Sequence, residues 1–145
     1  MSLENLVGRT LERHECTREE VARLLAAARR NLRDAGIKEN STETRFDVAY
    51  KAVMQCALVA LMANGFRPLT SAPGHHATVI QSLPQTIRLT EDRRIVLDKL
   101  RRMRNAADYS GEETSEEEAA ACLRAARALL DDVSAWLKKH RSELT

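Results

Sequence analysis

The chain has 145 residues, 43 % of them hydrophobic and only 3 % aromatic. That is long enough for one domain with its own core, and an apolar content of Ala, Leu and Val suits helix packing better than sheets. Charged residues make up 30 %, yet the formal net charge is only +2. A globally basic nucleic-acid binder is therefore excluded, and any such surface must be a local patch.

The elements follow in chain order. Residues 2–14 read as a short helix with Leu3, Leu6, Val7 and Leu11 on one face. Thr17-Arg18-Glu19-Glu20 is a capping box, a hydroxyl at the cap and a carboxylate three residues on. The helix it opens carries Val21, Leu24, Leu25, Ala28 and Leu32 as its apolar stripe and ends at Gly36. The arginines of this helix lie mostly off the stripe, as a solvated face. Residues 37–40 connect to the longest apolar helix, which starts at Ser41 or Thr42 and runs to about Asn64. Phe46, Ala49, Tyr50, Val53, Ala57 and Leu61 form its stripe, and residues 56–63 are apolar on every side. This half should be buried all round, at the centre of the fold.

Residues 66–74 read as the longest irregular segment, with two of the three prolines. Pro73 and Gly74 lead into a helix starting at His75-His76 and ending near Leu83, because Pro84 follows. Thr90-Glu91-Asp92 opens another helix, which stops at Gly111. An acidic run then fills residues 112–118, and Ser115 caps a final helix to about Arg141. Ala119, Leu123, Ala126, Leu130, Val133 and Leu137 are its inward positions. Trp136 is the single tryptophan and reads as a core or interface anchor. No strand pattern, internal repeat or low-complexity segment is visible. The expected fold is all-α, an up-and-down bundle of about five to six helices in a single domain, residues 1–145.

Cys16, Cys56 and Cys122 are odd in number and widely spaced, which argues against a disulfide framework or a zinc site. The first ten residues lack the apolar core of a signal peptide, and the longest unbroken apolar run, residues 56–63, is too short to span a bilayer. The expectation is a cytoplasmic protein with reduced thiols, no membrane partner, no cofactor and no metal; His14 and His140 stand near opposite ends of the chain, away from the other two histidines.

The stretch that carries chemistry is residues 97–111, LDKLRRMRNAADYSG. Leu97, Leu100, Met103 and Ala107 share one side at helical spacing. Arg101, Arg104 and Asp108 share another, and Asn105 and Tyr109 fall one turn apart. A helix ending in guanidinium, amide, carboxylate and phenol groups is the best candidate site. The plain alternative is an intrahelical ladder from Arg104 to Asp108, stabilising by only about 0.2–0.5 kcal/mol, with Tyr109 closing the helix end. For His75-His76 the plain alternative is a cap beside a surface histidine. Their side chains diverge by about 100°, so at most one is expected to reach a cleft shared with Arg104.

The long helix with Phe46 and Tyr50, the NGFRP loop, the GHH pair and the late RNAADYSG motif occur in that order. Together they resemble a bacterial branch of the HEPN family (higher-eukaryote and prokaryote nucleotide-binding domains), over roughly residues 44–137. The resemblance implies a helical bundle that commonly forms two-fold dimers. Many family members are toxins or defence ribonucleases that cut RNA without a metal, and others pair with a nucleotidyltransferase partner. The active ribonucleases carry Arg, a polar residue, a short spacer and then His. Carried over, Arg104 and Asn105 match the first two positions, and Tyr109 stands where the His belongs. A phenol with an unperturbed pKa of about 10 shuttles protons poorly near neutral pH.

The reading is therefore a HEPN-like protein that binds RNA or a nucleotide through Arg104, Asn105 and Tyr109. These are also the catalytic residues if it is a metal-independent endoribonuclease. Arg101, Asp108, His75 and His76 would complete the ligand site. A homodimer would bring two motif copies to one cleft. The alternative is a non-catalytic dimeric interaction protein, antitoxin-like or docking on a cognate partner.

Overall fold

The computed structural model describes residues 2–71 and 74–145. Six α-helices account for most of it: α1 (Arg18–Ala35), α2 (Thr42–Ala63), α3 (His75–Gln81), α4 (Leu83–Thr86), α5 (Glu91–Ser110) and α6 (Glu116–His140). The fold is an all-α bundle, as the composition requires.

The helix starts are where the caps put them. Thr17 accepts from the Glu20 amide, and Glu20 reaches back to the Thr17 amide at 3.0 Å. Ser115 and Glu118 repeat the arrangement at the head of α6. Ser41 caps α2. Gly111 ends α5 with φ +70°, a left-handed conformation that glycine adopts without a Cβ penalty.

Helix α2 is the axis of the core. Ala49, Ala52, Val53, Cys56, Ala57 and Leu61 are fully buried, and α1 and α6 cover α2 most extensively. The many alanines let the helix backbones come close. By length and composition alone α2 could cross a membrane, but 67 % of its most apolar window is buried inside this bundle. It is the core helix. Polar clamps fix α6 beside it in the same direction. At one end the buried Arg45 donates to Glu116 at 2.5 Å and to the Asn40 carbonyl at 3.1 Å. At the other, Arg141 donates to the Ala63 carbonyl. Asn64 closes the end of α2 against α4 by donating to the Thr86 carbonyl at 3.1 Å.

Several expectations are corrected. The N-terminal segment is not a helix to His14: a 3-10 turn, Leu3–Leu6, gives way to a strand, β1 (Leu11–Arg13). It pairs antiparallel with β2 (Phe66–Pro68), which occupies the start of the stretch read as irregular, with Leu11 opposite Pro68 and Arg13 opposite Phe66. The pair is held by backbone bonds beyond its ends, His14 to Gly65 and Leu69 to Thr10, and by the Arg67–Glu12 ion pair across it. Pro84 does not simply end α3. It sits in the first turn of the short α4, where a missing N–H costs nothing. Along α6, Leu123 and Leu130, expected inward, are half-buried, while Cys122 and Leu129 are fully buried. Trp136 is also half-buried, packed on the core beside His140. Pro73 lies outside the described residues.

Candidate functional site

One cavity of about 530 Å³ opens between α2, α3, β2 and α5, within the size range of small-molecule sites. Its apolar walls include Val48, Met54, Leu58 and Val79, and its polar groups are Asp47, Tyr50, Lys51, His75, His76 and Arg104.

Arg104 stands at its edge, reaching from the last turns of α5 over the Tyr50 ring of α2. The guanidinium carbon is 5.3 Å from the ring centroid, within range of cation–π attraction. Its carboxylate neighbours are loose. Asp47 is 3.7 Å away and Asp108 is 3.6 Å away, against about 2.7–2.9 Å for a tight charge-assisted bond. The Arg104 Nε is buried and has no hydrogen-bond partner among the described residues, and the same holds for the Tyr50 hydroxyl. The Tyr50 hydroxyl thus has no acceptor among these residues, and the Arg104 Nε has only the Asp47 Oδ1 at 3.7 Å, beyond hydrogen-bond length; two such under-satisfied buried donors on adjoining side chains at one cavity are uncommon and costly.

The two histidines open α3 after Gly74, whose φ of +77° lets the chain turn into the helix. Their rings meet edge to face with centroids 4.7 Å apart, and His76 lies 6.3 Å from the Tyr50 ring. Both line the cavity, where at most one was expected to reach Arg104. The short helix places both rings at the rim, so their divergence does not take either away from it.

The electrostatics set the protonation states. Burial pushes the Tyr50 phenol up to about 12, so it stays a donor. Partial desolvation of this exposed ring, then the neighbouring His75, Arg104 and Arg101, hold His76 below the usual histidine range. Its imidazole is neutral at pH 7 and can accept a proton. Burial raises the Asp47 carboxyl, although Arg104 pulls the other way. Together the groups offer a fixed cation, a buried phenol donor and a neutral imidazole: donors for an anion and a base for a proton.

The other predicted residues sit elsewhere. Arg101 donates to the buried Asp98 at 2.9 Å, and Arg102 donates to the same carboxylate at 2.7 Å. Burial works against ionising Asp98, but the two guanidiniums outweigh it and hold its pKa low. Asn105 is exposed, and Tyr109 is 93 % exposed; neither lines the cavity. The geometry of a helix explains this. Residues five apart are separated by about 140° around the axis, so Arg104 and Tyr109 cannot converge within one chain. The acidic run also stays clear of the cavity: Glu118 caps α6 and Glu116 holds Arg45. Among the described residues no three His, Cys, Asp or Glu side chains are grouped to hold a metal ion.

Asp47 and Lys51 were not singled out by the sequence, and Tyr50 was read only as a core position of α2. The signal for Asp47 and Lys51 was present as a second stripe on α2. Asp47, Lys51, Met54 and Leu58 recur three or four residues apart, a mixed polar row on a helix that is otherwise apolar.

Comparison with known proteins agrees with this architecture. No curated protein and no solved structure gave a match. The model of the HEPN domain matches residues 17–138, from the cap of α1 nearly to the end of α6, and the chain thus belongs to the HEPN domain family.

Proposed function

We propose that this protein binds RNA through its phosphates at the Arg104 cavity. The observation that carries the reading is the pair of under-satisfied buried donors, Arg104 Nε and the Tyr50 hydroxyl, beside a cavity with apolar walls. A phosphate oxygen supplies the acceptors they lack, and a base fits the apolar side. Lys51 and Arg104 provide positive charge at the rim, while His76 is the group able to take a proton from a ribose 2′-hydroxyl. On this reading cleavage, where it occurs, is metal-independent. The 2′-oxygen attacks the adjacent phosphorus, the 5′-oxygen leaves with a proton from solvent, and a 2′,3′-cyclic phosphate results. Arg104 stabilises the charge that develops on the phosphoryl oxygens.

The test is fluorescence anisotropy and gel cleavage of a mixed-sequence RNA with EDTA present. Arg104→Gln should weaken binding about tenfold or more, the magnitude of one charge-assisted bond of about 1.5–3 kcal/mol. Unchanged binding in a folded Arg104→Gln protein sinks the proposal. Binding without cleavage marks a family member kept for binding.

A second reading, a dimer of two copies, is favoured by the outer face of α5. Ile95 is 53 % and Val96 51 % exposed, and Tyr109 lies about four turns beyond Ile95 on the same side. A two-fold contact there would cover these residues and bring Tyr109 and Asn105 toward the partner's motif. Light scattering tests it: a wild-type monomer at high micromolar concentration refutes it, and a dimer lost in Ile95→Glu supports it.

A further inference from the structure

Leu58, Pro68 and Thr70 line the Arg104 cavity and also line a second cleft of about 560 Å³. The two clefts therefore adjoin along these three residues, as two halves of one groove. Its floor is a single stripe of α2, running from Asp47 and Lys51 through Met54 and Leu58 to Met62. At about 1.5 Å of rise per residue the stripe is about 22 Å long.

The far half of the groove is walled by α1. His14 there is tied to Glu20 at 2.8 Å, and Arg67 to Glu12. Arg23 and Arg30 are different. Both are exposed, both line the cleft, and neither has an ion pair among the described residues. They lie about two turns apart on one face of α1. The groove thus has a largely apolar floor, with Arg104 and Lys51 along one half and Arg23 and Arg30 along the other. Asp47 and Glu20 also line it, so on a chain of net charge +2 the cations are in local excess there, Arg67 included, without being unopposed.

Resting on the reading above, we infer that the groove carries a stacked single-stranded RNA segment, with the second cleft holding the phosphates beyond those at Arg104. A stacked strand places one phosphate about every 3.4 Å, so 22 Å of floor corresponds to about six nucleotides. Cations along the edges hold the backbone, and the apolar floor meets the bases. The ligand class is an oligonucleotide, not a free mononucleotide.

The experiment measures binding of a fluorescein-labelled octamer RNA and a labelled dinucleotide between 50 and 200 mM salt. The proteins are wild type, Arg23→Gln/Arg30→Gln and Arg104→Gln, each checked for folding by circular dichroism. The octamer should show the steeper salt dependence. In the double variant its log–log slope should fall by about 1.4, from two lost contacts at about 0.7 each for a single strand. Equal slopes for octamer and dinucleotide, or an unchanged octamer slope in the double variant while Arg104→Gln weakens binding, overturns the inference and leaves the Arg104 site standing. Wild-type binding by Arg104→Gln overturns both.

Discussion

Removing the Tyr50 hydroxyl should move stability and binding in opposite directions. The residue is 2 % exposed, and its hydroxyl has no hydrogen-bond partner in the free protein. Burying an unbonded hydroxyl costs about 1–3 kcal/mol on scales from protein mutants. Tyr50→Phe keeps the ring, the packing against α3 and the face under Arg104, and removes only that cost. Taking the low end, because the group lies at a cavity that water can enter, the variant should be about 1 kcal/mol more stable. For a chain of this size that raises Tm by about 3–4 °C. In the bound state the hydroxyl donates to the ligand, so the variant should lose about 0.5–1.5 kcal/mol of affinity, roughly two- to twelvefold. Urea unfolding and RNA anisotropy on the same preparations read both effects. A variant less stable than wild type would mean the hydroxyl has a partner in the free protein. Unchanged affinity would mean it does not face the ligand. Either result refutes the reasoning.

Phosphate binding should strengthen as pH falls. His76 is held below the ordinary histidine value of about 6.5 in the free protein; an anion beside it raises that value, so binding takes up a proton between the two, and His76→Gln should flatten the pH profile. Asp98→Ala should cost about 2–3 kcal/mol in urea unfolding. The bond from the half-buried Arg101 supplies most of this, and that from Arg102, 73 % exposed, supplies little. Because the Asp98 carboxyl is held low in the folded state, its contribution is whole above its unfolded value of about 4 and is lost as pH falls through the folded value. Asp98→Asn should therefore shrink the acid limb of the stability curve. With a thiol-specific disulfide reagent, Cys16 should label slowly in the native protein. Cys56 and Cys122, buried and pushed up to about 12, should label only in denaturant; rapid native labelling of either would contradict that burial.

The helices were legible because their signals are local. Thr17 with Glu20, the Ser115 cap and the stop at Gly111 each act within one turn, and each is found where the sequence put it. The β1–β2 pair was not legible. Each strand has three residues, and what makes Leu11–Arg13 a strand is Phe66–Pro68, more than fifty positions away. The site was legible in part for a related reason. Periodicity assigns residues to faces of a helix but does not say which face meets a cavity. Arg104, His75 and His76 were read from their chemistry and come together. Tyr50 was assigned to the core stripe and is buried there, yet its hydroxyl end faces no protein acceptor. No spacing rule reports a missing acceptor.

The floor of the groove belongs to the same helix that the core encloses most tightly. A ligand lying along α2 meets a backbone already fixed by α1 and α6, so little chain entropy is lost on that side when it binds. Selectivity then rests on a shape held in advance, with adjustment left to the long side chains at the rim. The amides of α2 should be among the last to exchange with solvent. Because loss of the groove floor is loss of the fold, occupancy is coupled to global unfolding. Each tenfold excess of ligand over its dissociation constant adds about 1.4 kcal/mol to the stability of the whole domain.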